Sequence, residues 1–229
     1  MTMERTRLQD REAMLRTVDL YPVISGPRFN LGRRDEDILD AALSGGVRMV
    51  QLRGKTLTGR ELFSQARWFR EATQRHGTLL IINDRLDVAM ASGADGVHLG
   101  QTDLPVHVAR KLAPELLIGA STHSAEQAIQ AQEEGASYVN IGPIYATGTK
   151  EGITRYLGPE AIPEIAGHLR IPFTVMGGIK KHHIDELMLA GARILAVVTA
   201  VSEADDVASE VREFRQAMVA CCGRRSIPS

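Results

Sequence analysis

Eight short apolar runs, each followed by a stretch of helical character, constrain this chain more than any other feature. They fall at 20–25, 47–53, 79–83, 97–99, 116–120, 138–141, 173–176 and 194–198. These runs are almost continuously apolar instead of alternating, which is the pattern of parallel strands covered on both faces. The intervening spacing predicts helices at 35–43, 59–76, 86–92, 105–112, 125–134, 159–169, 184–190 and 206–219. Glycines close several of them, among them Gly77, Gly93, Gly135 and Gly191, and Pro105 opens another, where proline fits best. Strand and helix alternating at roughly 20–30 residues match a single-domain α/β fold, the (β/α)8 barrel. The expected organisation is an N-terminal helical extension at 1–19 with an amphipathic run at 8–18, a barrel domain at 20–220 and a short tail at 221–229. An open doubly wound sheet is the competing architecture, but no G-x-G-x-x-G fingerprint follows the first strand.

Composition narrows the function classes. A chain that is 44% hydrophobic and 24% charged is an ordinary soluble globular protein. Its net charge of −1 argues against a nucleic-acid partner, so any phosphate chemistry must come from locally placed basic groups. The two cysteines, Cys221 and Cys222, are adjacent and imply no disulfide framework. Neither a signal-peptide core nor an apolar run of membrane-spanning length is present, so a cytoplasmic location and no membrane partner are expected.

In a barrel the chemistry lies at the C-terminal rim of the strands, so the residues closing each apolar run are the ones that matter. Asp84 and Asp103 follow the third and fourth runs, which are joined by one short helix and so end on the same face. Two carboxylates meeting there suit a shared Mg²⁺, which completes its shell with water and phosphate oxygens; each alone also suits a helix cap or turn. Arg53 and Lys55, after the second run, read as a fork and a point charge aimed at an anion, or as a solvated strand end. The preceding residues fail the P-loop pattern. Thr147-Gly148-Thr149-Lys150 lies in a long loop after the sixth run and suits phosphate contacts. Gly177-Gly178 and Val198-Thr199 close the seventh and eighth runs, where barrels commonly bind phosphate. His98 sits inside a strand, where a hydrogen-bonded structural role is expected. His123 follows a strand end beside Ser121, and Lys180-Lys181-His182-His183 reads as a solvated approach to a helix. No zinc spacing and no G-x-S-x-G elbow is present.

Together these clusters resemble the thiamin phosphate synthase family, over about 20–201. The specific parts are Val50-Gln51-Leu52-Arg53-Gly54-Lys55, Ile82-Asn83-Asp84-Arg85, Gly96-Val97-His98-Leu99-Gly100-Gln101-Thr102-Asp103, Ser121-Thr122-His123, Gly142-Pro143-Ile144 with Thr147-Gly148-Thr149-Lys150, and Gly177-Gly178-Ile179. The resemblance implies a Mg²⁺-dependent transferase that couples hydroxymethylpyrimidine diphosphate with thiazole phosphate by a dissociative substitution. It implies pyrimidine-diphosphate contacts from Gln51, Leu52, Arg53, Gly54, Lys55, Asn83, Ser121 and Lys150, with Arg53, Lys55, Ser121 and Lys150 acting in catalysis. Thr147, Gly148, Thr149, Gly177, Gly178, Val198 and Thr199 would take the thiazole phosphate, and Asp84 and Asp103 one Mg²⁺ per subunit. Association into a homo-oligomer stays open.

Several positions depart from the family's usual pattern. Gly54 replaces a Glu, Tyr145-Ala146 replaces Phe-Pro, His183 replaces an Asn and Thr199 replaces a Ser. Two rival readings stand beside the synthase. A thiazole tautomerase on the same barrel would use His123 as an acid–base group and need neither diphosphate nor metal. A non-catalytic phosphate-ligand sensor could dispense with Asp84 and Lys150.

Overall fold

A computed structural model of the chain describes residues 3–149 and 155–224. Its strands are β1 (Leu20–Ile24), β2 (Met49–Leu52), β3 (Leu79–Asn83), β4 (Gly96–Leu99), β5 (Leu117–Thr122), β6 (Tyr138–Ile141), β7 (Phe173–Met176) and β8 (Ile194–Val197). All pair in parallel in chain order, and β8 returns to β1 with Leu195 opposite Leu20, closing the barrel. The helices between them are α2 (Asp35–Ser44), α3 (Gly59–Arg75), α4 (Leu86–Ser92), α5 (Val106–Leu112), α6 (Ala125–Glu133), α7 (Ala161–Ala166) and α8 (Ile184–Leu189), and the short α9 (Thr199–Ser202) follows β8. An N-terminal α1 (Met3–Leu15) precedes the barrel, and α10 (Val207–Arg224) follows it.

Strand alternation sorts the core into two layers. Val50, Leu52, Leu80, Ile82, Val97, Leu99, Val139, Ile141 and Val175 face outward and pack under the helices. Tyr21, Met49, Leu79, Ile81, Leu117, Tyr138, Ile194 and Ala196 fill the interior, joined by Leu15 and Val18 from α1 and its exit. The extension is thus packed on the interior cluster. Asp95 fixes it, accepting from Arg11 Nε at 3.3 Å, from Arg70 Nη1 of α3 at 2.6 Å and from the Leu80 N–H at 2.9 Å.

Among the elements that differ in extent from the expected ones, α1 spans Met3–Leu15 instead of 8–18 and β2 spans Met49–Leu52 instead of 47–53; three further differences have a visible cause or end. β5 runs on through Ser121 and Thr122, because these pair with Asn140 and Ile141 of β6 and the Thr122 hydroxyl donates to the Asn140 carbonyl at 3.0 Å. α7 is shorter at both ends, stopping before Gly167. α10 continues to Arg224 instead of ending at 219, because buried Cys221 extends the apolar stripe of Val207, Val211, Phe214 and Met218 by one more turn.

Candidate active site

The same alternation that buries Met49, Ile81 and Leu117 inside the barrel directs the residues two and four positions later toward its mouth. Gln51 and Arg53 extend the column of Met49, Asn83 extends that of Ile81, and Ser121 extends that of Leu117. Leu52 belongs to the outward layer, so its side chain packs under the helices and only its backbone meets the mouth.

The β2 exit is held in place from both sides. The Arg53 N–H donates to the Ile24 carbonyl at 2.8 Å, and its guanidinium donates to the Ser25 hydroxyl at 2.7 Å. A capping box follows: Thr58 N–H donates to Glu61 Oε2 at 2.8 Å, and the Glu61 N–H returns to the Thr58 hydroxyl at 3.4 Å. Lys55 stands between these fixed points, and its ammonium pairs with the carboxylate of Asp84. Burial lowers the pKa of the Arg53 guanidinium, and the charge of Asp84 partly offsets this.

Asp84 leaves β3 at φ +62°, a left-handed conformation uncommon for a side chain other than Asn or Asp. Its N–H is fixed on the His98 carbonyl at 2.8 Å. Asp103 is held by a tight turn in which its Oδ2 accepts from the Gly100 N–H at 2.7 Å. The two carboxylates meet at the rim: burial raises the Asp103 pKa, and adjacent Asp84 raises it further against the opposing pull of Lys55. Among the described residues no third His, Cys, Asp or Glu joins them. A cation shared by this pair draws its remaining ligands from water and substrate oxygens, so the donor set fits Mg²⁺.

Below the mouth, polar side chains cross the otherwise apolar barrel interior. Gln51 Nε2 donates to the Tyr21 hydroxyl at 2.6 Å, and Tyr21 and Tyr138 hydroxyls are 3.1 Å apart. His98 Nδ1 lies 3.1 Å from the Tyr138 hydroxyl, and its Nε2 lies 2.9 Å from the Ser121 hydroxyl. Gly119 makes the room, since a Cβ there would stand 2.5 Å from His98 Nδ1 and against the Tyr138 ring. Burial pushes both phenols well above their ordinary pKa, so they remain neutral hydrogen-bonding groups. His98 therefore has the structural role its strand position suggested. Tyr21 and Tyr138 were missed, although two tyrosines at inward-facing positions of apolar strands were a usable signal.

On the opposite side, Thr147, Thr149, Gly177, Gly178, Val198 and Thr199 line one hollow. The Thr147 and Thr149 hydroxyls are 2.9 Å apart. Gly177 and Gly178 both have positive φ, +108° and +64°, and lie so close to the β6 loop that a Cβ on Gly178 would meet Tyr145 Cβ at 2.9 Å. Gly148 and Thr149 also border a cavity of about 690 Å³ that contains Arg53, Gly54 and Lys55. The two halves of the mouth are therefore continuous. Ser25, Arg28 and Phe29 line this cavity as well; they follow β1, the one strand end the sequence reading left uninspected. Asn83 is half-buried at the end of β3, in register with His98. His123 reaches the rim, where Nδ1 donates to the Gly142 carbonyl. Lys150 lies outside the described residues.

A closed parallel barrel with paired carboxylates and cations on one side of its mouth, and glycine turns with hydroxyls on the other, has the layout of a phosphate-handling barrel enzyme. The chain belongs to the thiamine monophosphate synthase family, whose model matches residues 20–201. It is 41% identical to the thiamine-phosphate synthase of Chloroflexus aurantiacus, over 84% of this chain and 89% of that protein. The thiamine-phosphate synthase of Methanoculleus marisnigri is 43% identical over 88% of this chain and 96% of its own. A solved thiamine phosphate pyrophosphorylase from Pyrococcus furiosus superposes with a TM-score of 0.82 at 33% identity, covering 89% of this chain and 96% of that one. The family's enzymes are transferases. Among the described residues no helix is long and apolar enough to cross a membrane.

Proposed function

We propose that this protein joins hydroxymethylpyrimidine diphosphate to thiazole phosphate in the cytoplasm, releasing thiamin phosphate and diphosphate, with one Mg²⁺ per subunit held by Asp84 and Asp103. The observation that carries the reading is the division of the mouth. Arg53, Lys55, Asp84 and Asp103 gather on the β2–β4 side, and hydroxyl and glycine groups gather on the β6–β8 side, bordered by the charged Arg28, Lys180 and Glu203. The first suits a diphosphate leaving group that acquires charge, and the second a monophosphate that is only held. Likeness to proteins named thiamine-phosphate synthase supports the same reading.

The pyrimidine lies over Gln51 and Ser121, with Asn83 beside its diphosphate. One hydrogen-bond direction satisfies the whole interior chain: Gln51 donates to Tyr21, Tyr21 to Tyr138, Tyr138 to His98 Nδ1, and His98 Nε2–H to Ser121. The Ser121 proton is then left to face the substrate. As the bond between methylene carbon and diphosphate oxygen breaks, its electron pair leaves with the diphosphate. Arg53, Lys55 and the loop residue Lys150 stabilise that growing charge. Bound Mg²⁺ supplies further neutralisation of the same oxygens. The thiazole nitrogen lone pair closes the new carbon–nitrogen bond, and since that nitrogen carries no proton, no general base is needed. Thr147, Thr149, Gly177, Gly178, Val198 and Thr199 hold the thiazole phosphate so that the nitrogen faces the methylene carbon.

Purified protein with both substrates and Mg²⁺ should release thiamin phosphate and diphosphate in equal amounts, and chelation should stop the reaction. A pyrimidine lacking its diphosphate should give no product. Metal-independent isomerisation of the thiazole carboxylate phosphate, lost in His123→Ala, would hand the protein to the tautomerase reading. Binding of the phosphates without turnover would leave the sensor.

A further inference from the structure

The loop that carries Thr147 and Thr149 is pinned to the barrel at its root by backbone pairing. The Ile144 N–H donates to the Met176 carbonyl at 2.9 Å and the Tyr145 N–H to the Gly177 carbonyl at 3.0 Å. On its return, the Leu157 N–H donates to the Pro143 carbonyl at 2.8 Å. The Tyr145 side chain adds a second set of contacts. Its ring stacks on His183 with centroids 3.8 Å apart and planes inclined by 20°, and its hydroxyl donates to Glu186 Oε2 of α8 at 2.7 Å. His183 is oriented in turn, because its Nδ1 accepts the Lys180 N–H at 3.1 Å. Three segments thus meet on one phenol: the β6 loop, the exit of β7 and the start of α8. Thr147 is two residues beyond Tyr145. Gly178, the second glycine of the β7 turn, lies against the Tyr145 backbone.

We propose that Tyr145 and His183, with Glu186 as anchor, are positioning residues for the thiazole-phosphate side of the mouth: their stack fixes the Thr147–Thr149 hydroxyls against the Gly177-Gly178 turn. The proposal rests on the assignment of that hollow to the thiazole phosphate. The contact makes Tyr145 and His183 one paired feature. Several causes keep the groups in the states the clamp needs. Burial and the carboxylate of Glu186 hold the phenol protonated and therefore a donor. Burial, followed by His182, holds His183 neutral, so Nδ1 stays an acceptor.

The test is steady-state kinetics on Tyr145→Ala, Tyr145→Phe, His183→Ala and His183→Phe, with hydrogen exchange followed over 142–149. An aromatic pair contributes enough that Tyr145→Ala and His183→Ala should each raise the KM for thiazole phosphate roughly three- to tenfold. The KM for the pyrimidine diphosphate should stay at its wild-type value, and exchange at 142–149 should quicken. His183→Phe keeps the flat ring but loses the Nδ1 acceptor for the Lys180 N–H, so it should restore part of the loss relative to His183→Ala, and Tyr145→Phe should fall between wild type and Tyr145→Ala. Equal rises in both KM values, or no rescue by His183→Phe, would make the contact ordinary packing and overturn the clamp. If the wild type responds to thiazole phosphate but both alanine variants match it, the clamp fails and the functional reading stands. A wild type indifferent to thiazole phosphate would overturn both.

Discussion

Asp103→Asn should leave the metal-free protein as stable as the wild type or slightly more so, while abolishing its response to Mg²⁺. The geometry sets both signs. Asp103 Oδ2 accepts one turn-forming bond among those described, from the Gly100 N–H at 2.7 Å, and an amide oxygen can still accept it, without the charge assistance of the carboxylate. What the substitution removes is one of two neighbouring negative charges that, among the described residues, face the Lys55 ammonium, with the Arg53 guanidinium also acting on Asp84. At a half-exposed rim, relief of that repulsion is worth about 1 kcal/mol, a rise of roughly 2–4 °C in Tm for a domain of this size. Mg²⁺ behaves oppositely. Wild-type protein with inorganic diphosphate and Mg²⁺ at about 100 times its Kd gains about 2.7 kcal/mol, or roughly 5–11 °C. Loss of one carboxylate facing a divalent cation costs more than the unit-charge figure, so Mg²⁺ affinity should fall by about a hundredfold or more. Turnover should fall with it. Asp84→Asn separates the effects: asparagine tolerates φ +62° at least as well as aspartate, but the ion pair with Lys55 goes, so stability should not rise. Scanning calorimetry with and without Mg²⁺ and diphosphate measures the stabilities, and a Mg²⁺ titration of turnover measures function. An Asp103→Asn protein with a wild-type Mg²⁺-dependent Tm shift and wild-type turnover would refute the shared-cation argument.

Gly119→Ala should cost about 1–3 kcal/mol from overpacking alone, because its methyl would sit 2.5 Å from His98 Nδ1 and against Tyr138, both buried; an unchanged urea midpoint would show that the interior chain yields easily. The KM for thiazole phosphate should be flat through neutral pH and rise on acidification. The pKa of His183 is depressed below its ordinary 6.5 by burial, His182 and Lys180, against the opposing pull of Glu186. Its contribution is therefore complete above the ordinary value and is lost as pH falls through the lower folded one. A KM–pH profile that is identical in His183→Phe would assign the rise to another group.

The order of the eight strands and of the longer helices was legible because the strands are buried on both faces and carry little but apolar residues, while glycines stop the helices; the short helix Thr199–Ser202 lies outside the helices that the spacing predicts. Boundaries were less legible where polar residues continue a ladder. Ser121 and Thr122 look like a loop in the sequence, yet they pair with β6 because the Thr122 hydroxyl satisfies the Asn140 carbonyl. The helix at 206–219 lengthened for the opposite reason, Cys221 being small and apolar enough to extend a buried stripe. The charged side of the mouth was legible residue by residue, since Arg53, Lys55, Asp84 and Asp103 each follow a strand end and barrel closure brings adjacent ends together.

Contacts across the barrel are a different matter. Nothing local in the sequence says that Tyr21 of β1 meets Tyr138 of β6, because that contact depends on both rings facing inward at one depth and on Gly119 of β5 leaving space for the Tyr138 ring beside His98. Likewise, Tyr145 and His183 considered singly are two departures that loosen a loop and remove an amide. Closure of β6 onto β7 sets one ring on the other, a contact no local pattern contains. A loop with two backbone bonds to β7, a stacked ring and a carboxylate anchor at its root is restrained two residues before Thr147, the first of the hydroxyls that we propose hold the thiazole phosphate.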